Sequence, residues 1–121
     1  MRTLVIIPAY NEEASLPSTV EELREKAPDA DYVIVNDGSG DGTAEVCRAK
    51  GYPLLNLPTN LGLAGAFQTG MRYALEQGYD AAMQLDADGQ HDPAFIAPMV
   101  EKMEREQLDL VLGSRFLTSS R

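Results

Sequence analysis

Asp86-Ala87-Asp88-Gly89-Gln90-His91 places two carboxylates one residue apart, directly after the apolar run Ala81-Ala82-Met83-Gln84-Leu85. A hydrophobic strand thereby delivers hard oxygen donors into a loop. Such a DXD motif suits Mg²⁺ or Mn²⁺, which prefer oxygen ligands and share them with substrate phosphates. By itself the spacing is equally that of a solvated turn capping the next helix, because 19 Asp and Glu among 121 residues produce such pairs by chance. Gln90 adds an amide oxygen able to reach a hard cation. His91 is either a ligand or a hydrogen-bonding group that orders the loop.

Three further polar clusters follow apolar runs. Pro8-Ala9-Tyr10-Asn11-Glu12 follows the first run, Asn36-Asp37-Gly38-Ser39-Gly40-Asp41-Gly42-Thr43 the second, and Ser114-Arg115 the last. Each also has a plainer reading. Tyr10 and Asn11 can cap a helix, the glycines can make a tight turn, and Arg115 can be a solvated charge. Gly38, Gly40 and Gly42 are evenly spaced, out of register with a dinucleotide fingerprint. A calcium loop starting at Asp37 would put Arg48 where a bidentate Glu is required, which argues against it.

The elements that position these clusters are five short apolar runs: 3–8, 31–36, 53–57, 81–85 and 109–113. Helical spacing fills the gaps, with Leu16, Val20, Leu23 and Ala27, then Leu63, Phe67, Met71, Ala74 and Leu75, then Phe95, Ile96, Met99, Val100 and Met103. Thr43 is the expected cap of the second helix, Asp92-Pro93 opens the last, and Gly51 and Gly78 stand where helices end. Pro17 and Pro98 belong near helix starts. Alternating strands and helices imply an α/β, doubly wound, mainly parallel sheet. Its ligands bind at the carboxyl ends of the strands, where the clusters lie.

Composition narrows the function. A hydrophobic content of 44% with 24% charged residues is that of a globular domain, and 121 residues bound it to one. The net charge of −9 argues against nucleic acid, which needs a basic surface. No apolar run approaches a transmembrane length. Cys47 has no second cysteine to pair with, so a buried thiol in a reducing, cytoplasmic setting is expected.

Taken together and in order, Pro8-Ala9-Tyr10-Asn11-Glu12, Asn36-Asp37-Gly38-Ser39 with Asp41-Gly42-Thr43, Asn60-Leu61-Gly62, Asp86-Ala87-Asp88-Gly89-Gln90-His91 and Gly113-Ser114-Arg115 resemble family 2 glycosyltransferases. The resemblance is to the nucleotide-sugar half of the branch with dolichol- and polyprenol-phosphate mannosyl- and glucosyltransferases. It implies a GT-A, Rossmann-like fold and inverting transfer of a hexose from a nucleoside diphosphate sugar, of the GDP-mannose or UDP-glucose class, to a polyprenyl or dolichyl phosphate. Pro8, Ala9, Tyr10, Glu12, Asp37, Asp86, Ala87 and Asp88 would hold the donor. Asp88, helped by Gln90, would bind Mg²⁺ or Mn²⁺, and Asp86, Asp88 and Arg115 would act at the transfer point.

Asn36 stands where many members have an Asp, leaving Asp37 intact. The resembled proteins continue through a second half, often with a membrane anchor. The expectation is therefore a single domain over 1–121, truncated at its C-terminus and short for turnover, from a protein working at the cytoplasmic face of a membrane. Two other readings stay open: a catalytically incomplete nucleotide-binding domain, and a receiver-type signalling module. The latter needs an Asp ending the third strand and a Lys ending the fifth, where this chain has Pro58-Thr59-Asn60 and Ser114-Arg115.

Overall fold

A computed structural model describes residues 2–87. The chain runs β1 (Thr3–Ala9), α1 (Leu16–Lys26), β2 (Asp31–Asp37), α2 (Thr43–Lys50), β3 (Leu54–Leu57), α3 (Gly62–Glu76), β4 (Ala81–Gln84). The four strands form a parallel sheet in the order β3-β2-β1-β4. Ile7 lies opposite Ile34, and Leu4 opposite Ala82.

Strands buried on both faces read as continuous apolar runs, and β1 illustrates why. Val5, Ile7 and Ala9 turn to one face, packing with Leu16, Val20 and Leu23 of α1 and Cys47 of α2. Leu4 and Ile6 turn to the other, against Ala66, Phe67, Met71 and Ala74 of α3. A Cβ on Gly70 would lie 2.5 Å from Cγ2 of Ile6, so this glycine sets how closely α3 approaches the sheet.

The doubly wound expectation holds, and the strand order separates the rival folds. A receiver places its first strand between its second and third. Here β1 lies between β2 and β4, with β3 outside, which is the order of a Rossmann half. Helices α1 and α2 on one face and α3 on the other make the β1–β4 boundary a switch point, with a crevice at the carboxyl ends.

Local expectations need four adjustments. β1 and β2 each continue one residue further, through Ala9 and Asp37, whereas β3 starts at Leu54 and β4 ends at Gln84. Thr43 is the first residue of α2 rather than its cap, and the side chain of Asp41 accepts its N–H at 3.0 Å. Leu63 and Leu75 are 57% and 65% exposed, because the face of α3 against the sheet is centred on Phe67, Met71 and Ala74. Tyr10 and Asn11 do not cap α1, which starts after Ser15.

Pro17 sits in the first turn of α1, and Gly51 closes α2 in the left-handed conformation at φ 72°. The expected strand 109–113 and the helix containing Phe95 to Met103, with Asp92-Pro93 and Pro98, lie outside the described residues. Among the described residues no helix is long and apolar enough to cross a membrane.

Candidate donor-binding site

A cleft of about 530 Å³ opens at the carboxyl ends of the strands. From the β1 end it takes Pro8, Ala9, Tyr10 and Glu12, from β2 Asp37, from the start of α3 Asn60, Gly62 and Leu63, and from the β4 end Asp86 and Ala87. The structure thus brings together seven of the eight residues expected to hold a donor. Asp88, the eighth, lies outside the described residues, as do Gln90, His91 and Arg115.

The walls are fixed by hydrogen bonds between loops. Asn11, at φ 55°, donates its N–H to Oγ of Ser39 at 2.9 Å, and its Oδ1 accepts the N–H of Gly40 at 2.8 Å. Thr43 Oγ1 accepts the N–H of Glu12 at 3.1 Å, and the carboxylate of Glu13 accepts the N–H of Gly42 at 3.1 Å. A Cβ on Gly42 would come within 2.8 Å of that carboxylate. The glycine-rich loop is thereby laced to the loop that carries Tyr10 and Glu12. Asp41 belongs to this lacing, and the Thr43 hydroxyl that donates to it holds its carboxyl below the ordinary value of 3.8.

Asp37 has a structural task as well as a place in the cleft. Its side chain accepts the N–H groups of Leu61 and Gly62 at 2.7 and 3.0 Å, and its carbonyl accepts from the Asn60 amide at 3.2 Å. A buried carboxylate at the start of α3 satisfies two orphan amides and complements the helix dipole. Asn36, by contrast, bonds Oδ1 of Asn56 across the β2–β3 ladder and the N–H of Ser39, a turn-building role.

At the other end of the cleft, buried Gln84 donates from Nε2 to Oδ1 of Asp86 at 3.0 Å. The carbonyl of Ala87 accepts from the hydroxyls of Ser15 and Thr19. Gln84, Ser15 and Thr19 were not among the expected site residues. Gln84 had a visible signal, an amide inside an apolar strand; the hydroxyls of Ser15, just before α1, and of Thr19, within it, had none.

Glu12, Asp37 and Asp86 make the cleft acidic, and among its described lining residues there is no Lys or Arg. A diphosphate entering such a site would meet carboxylates, whose charge a bound cation would offset. Asp86 supplies hard oxygen at the cleft edge, which fits Mg²⁺ or Mn²⁺ shared with phosphate oxygens. Among the described residues no three His, Cys, Asp or Glu converge on one point.

A sequence profile described as Glycosyl transferase family 2 matches residues 4–121. The chain belongs to glycosyl transferase family 2. Within the family it is 43% identical over 120 residues to an undecaprenyl-phosphate mannosyltransferase of Micrococcus luteus, covering 95% of this chain and 49% of that protein. It is 34% identical over 122 residues to a polyprenol monophosphomannose synthase of Mycolicibacterium smegmatis, covering 96% and 46%. The chain spans about half the length of these curated relatives.

A solved mannosyltransferase from Pyrobaculum calidifontis, in complex with GDP-Man and Mn²⁺, superposes with a TM-score of 0.61 at 27% identity over 72% of this chain and 27% of that one. Glucosyl-3-phosphoglycerate synthase from Mycobacterium tuberculosis, in complex with UDP, gives a TM-score of 0.67 at 21% identity over 84% and 39%, a likeness of fold. The fold is the GT-A type of the family, with its Rossmann-like parallel sheet. Family membership and strand order together exclude the receiver reading.

Proposed function

We propose that this chain is the donor-binding part of an inverting, metal-dependent glycosyltransferase that moves a hexose from a nucleoside diphosphate sugar to a polyprenyl phosphate. The observation that carries the reading is the convergence of Tyr10, Glu12, Asp37, Asp86 and Ala87 on one acidic cleft at the switch point. The similarity to polyprenyl-phosphate mannosyltransferases supports the acceptor class and favours a mannosyl donor.

In this reading Tyr10, Glu12 and the wall carrying Asp37 take the nucleoside, and Pro8 and Ala9 floor the cleft beneath it. Asp86, oriented by Gln84, would lie near the ribose and diphosphate, and Asp88, helped by Gln90, would bind the metal. Mg²⁺ or Mn²⁺, when bound, offsets the charge that develops on the departing diphosphate. Arg115 adds planar, bidentate phosphate contacts. A lipid phosphate is already an anion at neutral pH, so its oxygen attacks the anomeric carbon from the face opposite the diphosphate without a general base.

Calorimetric titration with GDP-mannose and UDP-glucose, each with Mn²⁺ and then with chelator, tests the proposal. Binding of one donor that weakens strongly with chelator is the expected result. Binding of neither donor, or binding indifferent to chelator, overturns the metal-dependent reading.

A further inference from the structure

We propose that Thr19 and Ser15 of the α1 region are positioning residues for the acidic loop, holding the Ala87 carbonyl and so fixing the peptide that carries Asp86 and leads to Asp88. The inference rests on the donor-and-metal reading of the cleft. The Ser15 hydroxyl donates to the Ala87 carbonyl at 2.8 Å and the Thr19 hydroxyl donates to it at 3.0 Å, across 72 and 68 residues of sequence. Thr19 is 4% exposed and Ala87 3%, so water does not replace these bonds freely.

Counting hydrogens separates the two roles, since each hydroxyl has only one to give. Thr19 Oγ1 also lies 3.1 Å from the Ser15 carbonyl, but that carbonyl already accepts the Thr19 N–H at 3.2 Å and the Ser18 hydroxyl at 3.0 Å. The Thr19 hydrogen is therefore the steady support of Ala87. The Ser15 hydrogen is contested, because the Glu12 carboxylate lies 2.7 Å from the same hydroxyl.

Thr19→Val removes the hydroxyl at nearly constant volume, and Thr19→Ser retains it. In titrations of the donor that the unsubstituted chain binds, Thr19→Val is expected to weaken Mn²⁺-dependent affinity about tenfold while affinity measured with chelator stays within about twofold, as for residues that orient metal ligands. Thr19→Ser is expected to stay close to the unsubstituted chain. Equal losses with and without metal would show general damage, and no loss would show no positioning; either overturns the proposal.

A second readout is independent of any donor. The ¹³C carbonyl resonance of Ala87, recorded without metal, should move in Thr19→Val towards that of a carbonyl with one fewer hydrogen bond. An unmoved resonance overturns the proposal whatever the titrations give. If the resonance moves while the unsubstituted chain binds neither donor, the hydroxyl support stands and the reading of the cleft fails.

Discussion

Asp37, the last residue of β2, accepts the N–H of Gly62 at 3.0 Å, and so joins the carboxyl end of the sheet to the first residue of α3. The adjoining Leu61 N–H fills the other carboxylate oxygen at 2.7 Å. A residue that lines the cleft therefore also fixes the helix that forms the cleft's opposite wall. Cleft lining and helix docking share one carboxylate.

Asp37→Asn tests that dual role. The amide keeps one acceptor oxygen and presents an NH₂ to a backbone N–H, so one amide loses its partner. Hydrogen bonds to charged groups contribute about 1.5–3 kcal/mol, and a loss of about 2 kcal/mol is expected. Urea denaturation without ligand measures it. An unchanged midpoint would mean that the carboxylate does not hold α3.

Gly38 and Gly62 flank the same junction and predict unequal sensitivity to a methyl group. Both have positive φ, at 68° and 87°, so alanine is strained at either position. At Gly38 the new Cβ would also lie 2.5 Å from the backbone N of Asn60, while at Gly62 it meets nothing within 4 Å. Gly62→Ala is expected to cost about 1–2 kcal/mol from conformation alone. Gly38→Ala adds a clash with backbone that cannot rotate away, so its thermal midpoint should fall clearly further; equal midpoints would refute the close packing of these loops.

How much of this was legible in the sequence depends on the distance over which each interaction acts. The strands were readable because β1 and β2 are buried on both faces, leaving unbroken apolar runs from Leu4 to Ile7 and from Val33 to Val35. The cleft residues were readable because a parallel sheet gathers the residues after its strands at one edge. The use of Asp37 by α3 was hidden, since an acid ending a strand looks the same whether it meets ligand or helix. Leu63 and Leu75 fit the apolar spacing of α3 yet face outward, because spacing marks a stripe without giving its width. The hydroxyls of Ser15 and Thr19 meet Ala87 only after α1 packs on the sheet, and no local pattern announces that meeting.

Gln84 bears directly on the end of the cleft proposed to take the metal. Its amide, buried in β4, donates to Asp86 at 3.0 Å and holds that side chain in one orientation. Gln84→Met keeps the volume and removes the donor. Loss of such support for a metal-facing carboxylate weakens metal-dependent affinity by about tenfold or more. Titration of donor with Mn²⁺ and with chelator should show the loss only with metal, and a variant binding as tightly as the unsubstituted chain would remove Gln84 from the site.

Asp41 gives the loop lacing a pH dependence whose sign is fixed by its bonds. The Thr43 hydroxyl has the largest effect on its carboxyl; desolvation, next in size, opposes it, and the backbone N–H groups of Thr43 and Glu13 help keep the carboxyl below the ordinary 3.8. A carboxyl depressed in the folded state binds its proton more readily when unfolded, so it contributes stability above the unfolded value. That contribution is lost as pH falls from 3.8 through the folded value. Asp41→Asn should therefore be less stable than the unsubstituted chain at pH 7, and the gap should close as pH is lowered past 3.8. Denaturation midpoints at several pH values measure the gap. A gap that stays constant into acid would show that the charge on Asp41 does not hold the two loops together.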